Sequence, residues 1–199
     1  MIQCFITDIK DITQADLNVF QTQLSDKEHT RLNQMKNIKR KTEFIMGRVL
    51  IKNVCAKLLK QSAEHIQIES NEKGALFLPD YSNYFISLSH SNPYIVLAVA
   101  SHPIGLDIEK IKNRPFDDLM RHEFSADIPS DWHQRKLDDK KHLFYTLWTQ
   151  KEATFKLKSI KEQKKNIYYF PIKEVNEYTI SIASYNKIKS DIKLNILKF

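Results

Sequence analysis

Two carboxylates stand two residues apart in the run Ile104-Gly-Leu-Asp-Ile-Glu-Lys110. The alternation of apolar and other residues predicts a β-strand in which Asp107 and Glu109 share one face. Their Cα atoms are then about 6.6 Å apart, and two like charges that close repel unless water, a base or a metal ion relieves them. Taken alone, the segment also fits an ordinary strand whose polar face meets solvent. The rest of the chain has to decide.

A third carboxylate lies in the run Leu147-Trp-Thr-Gln-Lys-Glu-Ala-Thr-Phe-Lys156. This segment predicts a helix with Trp148, Glu152 and Lys156 on one face, because they are spaced i, i+4, i+8. Taken alone, Glu152 and Lys156 fit an exposed ion pair that contributes about 0.3–0.5 kcal/mol. Trp148 is interpreted as a packing residue that fixes this helix.

Two further segments carry polar or basic side chains. His90 ends the predicted strand Phe85-Ile-Ser-Leu-Ser-His-Ser91, where a lone histidine also fits a hydrogen-bonded surface residue. The run Asn71-Glu-Lys-Gly-Ala75 is a turn signature that contains a lysine. The order of these four segments (lysine turn, Ser-His-Ser, Gly-x-Asp-x-Glu, Trp-Thr-x-Lys-Glu-Ala-x-x-Lys) resembles the 4′-phosphopantetheinyl transferase family, surfactin-synthetase-activating type. The resemblance covers roughly residues 25–158.

The resemblance implies an enzyme that transfers the 4′-phosphopantetheine moiety of coenzyme A to a serine of an apo acyl or peptidyl carrier protein, releasing adenosine 3′,5′-bisphosphate. A pyrophosphate bond breaks, and Mg²⁺ stabilises such charge with hard oxygen ligands. The implied ligands of Mg²⁺, or of Mn²⁺ as an alternative, are Asp107, Glu109 and Glu152. Glu152 is also the implied general base for the carrier serine, and Lys156 the implied contact of the α-phosphate.

The implied coenzyme contacts are basic or polar. They are Arg31, Lys73, Ser89, His90 and Lys156. The resemblance also implies that His90 is catalytic together with Glu152 and Lys156. His90 is expected to contact the 3′-phosphate side of the coenzyme. The sequence departs from the family at the turn, which usually reads Gly-Lys-Pro and here reads Gly-Ala-Leu from position 74. Lys73 is therefore the candidate that replaces the missing lysine. Another basic family position on the early helix holds Glu28.

Composition limits the classes of site. The 199 residues include only three glycines, which excludes a glycine-rich phosphate loop, so phosphate must be held by side chains, helix ends or a metal. The net charge of +7 admits nucleic acid, a phosphorylated ligand or an acidic protein partner. Cys4 and Cys55 are interpreted as core residues of a cytosolic protein. No signal-peptide pattern and no apolar run of about 18 residues is present, so we expect a cytoplasmic protein without membrane contact.

The elements that must position these residues alternate between helices and short strands. Apolar periodicity predicts helices at 13–24, 38–60, 116–124 and 140–158, and the Ser-Asp-Lys-Glu run at 25–28 is a capping box that predicts another. Strands are predicted at 2–8, 67–69, 84–89, 94–101, 104–111, 166–170, 173–183 and 191–198. This order indicates an α+β architecture.

The family resemblance adds a domain organisation to these elements. It implies two similar halves, 1–102 and 103–199, each with a small antiparallel sheet and a long helix. The halves are related by a pseudo-two-fold and enclose the ligand, with coenzyme contacts in the first half and metal and catalytic residues in the second. The whole is expected to be one compact monomer.

Two alternatives and one docking surface follow from the charge. A metal-dependent nuclease commonly needs a lysine two residues after the strand glutamate, and that position is Ile111. A basic nucleic-acid-binding protein needs lysines interleaved with aromatics on one surface, and the lysines after residue 156 fit a solvated helix end better. For an acidic carrier, we expect docking at 112–124, with Leu119 or Met120 as apolar anchor and Arg114 or Arg121 at the rim.

Overall fold

A computed structural model describes residues 2–172, 174–188 and 192–199. The helices are α1 (Gln14–Gln21), α2 (Asp26–Asn33), α3 (Ile38–Leu59), α4 (Phe116–Glu123) and α5 (Leu137–Ile160). The strands are β1 (Ile2–Asp8), β2 (Glu69–Ser70), β3 (Leu76–Phe77), β4 (Phe85–Ser91), β5 (Tyr94–Ala100), β6 (Ile104–Lys110), β7 (Tyr168–Ile172), β8 (Tyr178–Ser184) and β9 (Leu194–Leu197). The predicted α+β class, with two small sheets and long helices, is confirmed.

The chain passes from one sheet to the other near residue 102, between β5 and β6. The first sheet has the order β2-β3-β4-β5-β1-β9 and the second has the order β6-β8-β7. Strand β9 departs from the predicted division at 102/103, because it returns to the first sheet and pairs in parallel with β1, with Cys4 opposite Leu194. The first sheet is therefore not wholly antiparallel. Strand β8 begins later than predicted, and positions 173 and 191 of the predicted strands lie outside the described residues.

Helix α2 begins where its capping box predicts. In the capping box at α2, Glu28 accepts a hydrogen bond from the Ser25 backbone N–H at 2.9 Å, and Ser25 Oγ accepts one from the Glu28 N–H at 3.4 Å. Glu28 is buried and also pairs with Arg48, at 2.9 Å, and with Lys52, at 3.6 Å. Glu28 therefore has a structural role at a position where the family usually carries a basic residue.

The cysteines are core residues, as predicted. Cys4 and Cys55 are buried and free, and burial raises the pKa of each thiol to about 12. Across the described ranges, no helix combines the length and the apolar character needed to cross a membrane.

Helix α5 packs closely on β6 at one glycine. A Cβ added at Gly105 would lie 1.8 Å from the carbonyl oxygen of Ala153 and 2.6 Å from the backbone nitrogen of Leu157. Only a residue without a side chain allows this approach. Because Gly105 shares a strand face with Asp107, the same approach brings the turn of α5 that carries Glu152 and Lys156 toward that carboxylate.

The α4 segment corrects one prediction. Met120 is fully buried and packs with Phe116 and Phe124, which lie one turn away on either side, against Phe144 of α5. The prediction that Met120 is an exposed docking anchor is therefore wrong, since the i, i+4, i+8 stripe of α4 faces the core. Of the other predicted docking residues, Leu119 is half-buried, whereas Arg114 and Arg121 are exposed.

Candidate active site

A cleft of about 670 Å³ collects side chains from both halves of the chain. Most of the charged side chains that line it are basic, and acidic and aromatic residues line it as well. Its lining includes Arg31, Arg40, Glu43, Phe44, Arg48, Lys73 and His90 from the first half, and Glu152, Phe155 and Lys156 from the second. The structure thus brings together five of the predicted site residues, Arg31, Lys73, His90, Glu152 and Lys156, at one cleft.

Asp107 is buried, with 5% of its surface exposed, so the interpretation of β6 as a strand with a solvent-facing polar side is wrong. Its Oδ1 accepts two hydrogen bonds, from Ser89 Oγ and from Lys156 Nζ, each at 2.8 Å. Its Oδ2 is buried without a hydrogen-bond partner among the described residues. A buried carboxylate oxygen without a partner is costly, and such a group commonly marks the place of an ion or a water.

Glu109 lies half-buried beside this carboxylate. Burial and, after it, the charge of Asp107 raise the pKa of Glu109, while a hydrogen bond from Trp148 and the charges of Arg114 and Lys156 oppose the rise. Trp148 also stacks on Phe144, so it packs as predicted. A cation next to the two carboxylates would relieve their repulsion.

Lys156 faces the carboxylate of β6. Its Nζ donates to Asp107 Oδ1 at 2.8 Å, to Ser89 Oγ at 2.9 Å and to the carbonyl oxygen of Leu106 at 2.9 Å. The alternative of an exposed Glu152–Lys156 pair is therefore wrong, because the partner of Lys156 is Asp107. Glu152 is half-buried and lines the cleft, and the described residues offer its carboxylate no ion pair.

The predicted metal ligands do not form a ready-made cluster of three. Within residues 2–172, 174–188 and 192–199, no three His, Cys, Asp or Glu side chains come close enough together to hold a metal ion. The donor set nevertheless fits a hard divalent cation, because Oδ2 of buried Asp107 lacks a partner among the described residues and the pKa of the neighbouring Glu109 is raised by burial and by the charge of Asp107. Mg²⁺ usually takes one or two carboxylates and completes its shell with waters and substrate phosphates. Glu152 as a third ligand stays a prediction.

The basic side of the cleft contains residues that sequence reasoning missed. Arg40, Phe44 and Arg48 line it from one face of α3, and their i, i+4, i+8 spacing is the signal that could have found them. The guanidinium groups of Arg31 and Arg48 lie 5.6 Å and 4.9 Å from the centre of the Phe44 ring. Burial lowers the pKa of Arg48, and the charge of Glu28 opposes this. These contacts hold two cations side by side at the cleft.

The predicted coenzyme contacts His90, Lys73 and Ser89 occupy three different settings. His90 is half exposed, with Nδ1 3.6 Å from a carboxylate oxygen of Glu43. Lys73 lies in the predicted turn, where Asn71 Oδ1 accepts its backbone N–H at 3.0 Å. Asn71 Nδ2 also donates to the carbonyl oxygen of Ser159 on α5 at 2.8 Å, which fixes the turn against that helix. Ser89 is buried behind the cleft lining, so its coenzyme contact stays a prediction.

Comparison with known proteins supports the resemblance found in the motifs. Residues 103–185 match the family model of the 4′-phosphopantetheinyl transferase superfamily. The 4′-phosphopantetheinyl transferase gsp of Aneurinibacillus migulanus is 28% identical over 76% of this chain and 63% of its own length. The 4′-phosphopantetheinyl transferase Sfp of Bacillus subtilis (strain 168) is 30% identical over 56% of this chain and 50% of its own length. The family resemblance is confirmed, and these findings do not favour the nuclease or nucleic-acid-binding alternatives.

The matches are partial in extent. The chain spans between half and two thirds of the length of these two curated relatives. A solved structure of the holo-[acyl-carrier-protein] synthase of Helicobacter pylori, in complex with coenzyme A, aligns with a TM-score of 0.38 and 24% identity. That alignment covers 50% of this chain and 98% of the other.

Proposed function

We propose that this protein transfers the 4′-phosphopantetheine moiety of coenzyme A to a serine of an apo acyl or peptidyl carrier protein. The serine oxygen attacks the phosphorus that carries pantetheine, and a new P–O bond replaces the pyrophosphate P–O bond. The leaving group is adenosine 3′,5′-bisphosphate, and the serine proton passes to a base. The products are therefore the phosphopantetheinylated carrier and the bisphosphate, without any further reactant.

The observation that carries this proposal is the shared cleft. Cationic side chains of the first half face Glu152 and Lys156 of the second half across it. A ligand with three phosphate groups needs such a basic surface when the chain offers no glycine-rich loop. Glu152 is the proposed base for the carrier serine, since the described residues leave its carboxylate without an ion pair. Lys156, which also lines the cleft, is the proposed contact of the α-phosphate.

Asp107 and Glu109 are the proposed holders of Mg²⁺, with Glu152 as the third ligand. Bound there, the cation would neutralise charge on the pyrophosphate oxygens. The support is chemical: Oδ2 of Asp107 is buried and unpartnered among the described residues, and the pKa of Glu109 is raised by burial and by Asp107. We further propose a cytoplasmic monomer, because both cysteines are buried and free and one chain lines the cleft from both halves.

Incubation of the protein with coenzyme A, Mg²⁺ and an apo-carrier tests the proposal. The carrier should gain the mass of one phosphopantetheinyl group, and the gain should be lost when EDTA is added or when the carrier serine is replaced by alanine. Carriers from fatty-acid, polyketide and peptide synthesis should be compared in one panel. A carrier panel that gains no mass would refute the transferase activity.

Lys73→Ala is expected to raise the KM for coenzyme A. Lys73 is exposed in the turn, lines the cleft and is the candidate for the lysine that the family usually has after the glycine. Kinetics with coenzyme A and with dephospho-coenzyme A will show whether Lys73 contacts the 3′-phosphate. If it does, the difference in KM between the wild type and Lys73→Ala should disappear with dephospho-coenzyme A, which lacks that phosphate. Lys57→Ala, which removes an exposed lysine of α3, is the matched control. An unchanged KM would mean that the turn has lost this contact.

Carrier docking is expected to depend on salt. An acidic carrier is steered by a chain of net charge +7, and the Debye length falls from about 10 Å at 0.1 M salt to about 3 Å at 1 M. Raising salt should therefore increase the KM for the carrier much more than it lowers kcat. With Met120 buried, the exposed rim residue Arg114 is the position to test.

Arg114→Glu should raise the KM for the carrier and leave the KM for coenzyme A unchanged. Lys57→Glu makes the same change of net charge on the other half of the chain and serves as the control. Equal effects of the two reversals would show that only overall charge matters and would place docking away from residues 112–124.

A further inference from the structure

Three serines of β4 join the two sheets through their side chains. Ser87, Ser89 and Ser91 alternate along the strand and so share one face. Their Oγ atoms accept hydrogen bonds from three alternate backbone N–H groups of β6, at 2.9, 3.3 and 3.0 Å, which belong to Leu106, Ile108 and Lys110. These bonds fix the register of β6 against β4, although the two strands belong to different sheets.

The three hydrogen bonds from β6 to the serines of β4 form a ladder between the sheets. Ser89 is distinguished within this ladder by two further bonds. It donates its hydroxyl hydrogen to Asp107 Oδ1 at 2.8 Å, and it accepts a hydrogen from Lys156 Nζ at 2.9 Å. A hydroxyl has one hydrogen and two lone pairs, so these bonds and the one from the Ile108 N–H use its full capacity. Ser89 is buried, with 6% of its surface exposed, and therefore holds this geometry without competition from solvent.

We propose that Ser89 is a positioning residue that decides which oxygen of Asp107 is presented to a ligand. Ser89 and Lys156 together occupy Oδ1, and this leaves Oδ2 as the oxygen without a protein partner among the described residues. The same serine accepts one of the three hydrogens of the Lys156 ammonium group, so it orients both the Asp107 carboxylate and that ammonium group. This inference rests on the proposed function and replaces a direct coenzyme contact for Ser89 with a role behind the cleft.

The test compares Ser89→Ala with its neighbours in the ladder. Mn²⁺ binding to the intact protein, followed by electron paramagnetic resonance, reports on Asp107 without any need for turnover. Loss of a group that orients a metal-binding side chain typically weakens metal affinity or activity by about 10- to 100-fold. We expect a loss of this size in Ser89→Ala and a change of less than about 2-fold in Ser91→Ala, which removes a bond of the same kind. Ser87→Ala, equally buried, is the control for melting temperature.

Steady-state kinetics separate positioning from a coenzyme contact. A positioning role predicts a lower kcat with an unchanged KM for coenzyme A in Ser89→Ala, and recovery in Ser89→Thr, which keeps a hydroxyl. If Ser89→Ala does not fold, Ser89→Cys keeps the shape and weakens the hydrogen bonds, and the same measurements apply.

Three results would overturn the inference: equal loss of Mn²⁺ affinity in Ser89→Ala and Ser91→Ala, a rise in KM for coenzyme A with unchanged kcat, or no Mn²⁺ binding by the wild-type protein. Failure of the proposed function has a different signature. Wild-type protein would then bind Mn²⁺ in a way that depends on Ser89, yet transfer no phosphopantetheine to any carrier.

Discussion

Glu152→Gln is expected to lower turnover by about 10²-fold or more while coenzyme A still binds. Glutamine keeps the size and the hydrogen-bonding capacity of the side chain but removes its charge and its basicity. Glu152 lines the cleft and has no ion pair among the described residues, so the substitution leaves no buried cation unpaired. The melting temperature should therefore stay close to that of the wild type. The rate of carrier mass gain measures kcat, and titration calorimetry measures coenzyme A affinity.

Glu162→Gln is the matched control for this experiment. Glu162 is exposed just beyond the end of α5 and lies outside the cleft lining, so the same chemical change there should leave turnover intact. Near-normal turnover of Glu152→Gln would remove Glu152 both as a base and as a metal ligand. A loss of coenzyme A affinity equal to the loss of turnover would make it a binding residue instead.

Local patterns predicted the elements of this fold well. The capping box at Ser25 and Glu28, the apolar periodicity of α3 and α5 and the alternation in β6 each depend on neighbours a few residues apart. Strand β9 could not be placed in the same way, because its parallel pairing with β1 joins residues at opposite ends of the chain. A strand's own sequence states which residues share a face but not which edge of which sheet it will join.

The predicted docking anchor in α4 shows the same limit: a local pattern predicts the helix but not what its apolar face will contact. The amphipathic pattern of α4 predicted a helix with one apolar face, and the structure has that helix. The pattern could not tell whether the face that contains Met120 meets a partner protein or Phe144 of the same chain. The structure answers that Met120 is interior.

The site was predictable to the level of residue types and their spacing. The motifs identified Asp107, Glu109, Glu152 and Lys156, but the helical spacing equally permitted a Glu152–Lys156 pair. The observed partner of Lys156 is Asp107, because α5 packs across β6 and places its lysine above the carboxylate. The ladder through Ser89 could not be inferred from sequence, since it requires the contact between two different sheets.

Gly105→Ala is expected to destabilise the protein and to reduce transfer more than its single methyl group suggests. The added Cβ would meet backbone atoms of Ala153 and Leu157, which cannot rotate away as a side chain can. Overpacking of a core typically costs about 1–3 kcal/mol, and contact with rigid backbone favours the upper end of that range. The surviving folded molecules should carry α5 displaced from β6, and a displacement of about 1 Å at a reacting group can reduce the rate by about 10²-fold. Thermal unfolding and kcat measure the two effects.

Gly47→Ala supplies the control, because this glycine is also buried but its added Cβ would meet only the side chain of Leu88, at 2.8 Å. A flexible leucine end can shift, and alanine is favoured over glycine inside a helix by about 1 kcal/mol, which offsets the strain. Gly47→Ala should therefore stay near wild type in both stability and kcat. If Gly105→Ala behaved like Gly47→Ala, α5 could move without consequence, and the close approach at Gly105 would not be what holds Glu152 and Lys156 beside Asp107. A large loss at Gly105 alone would instead make this glycine the structural condition for the site.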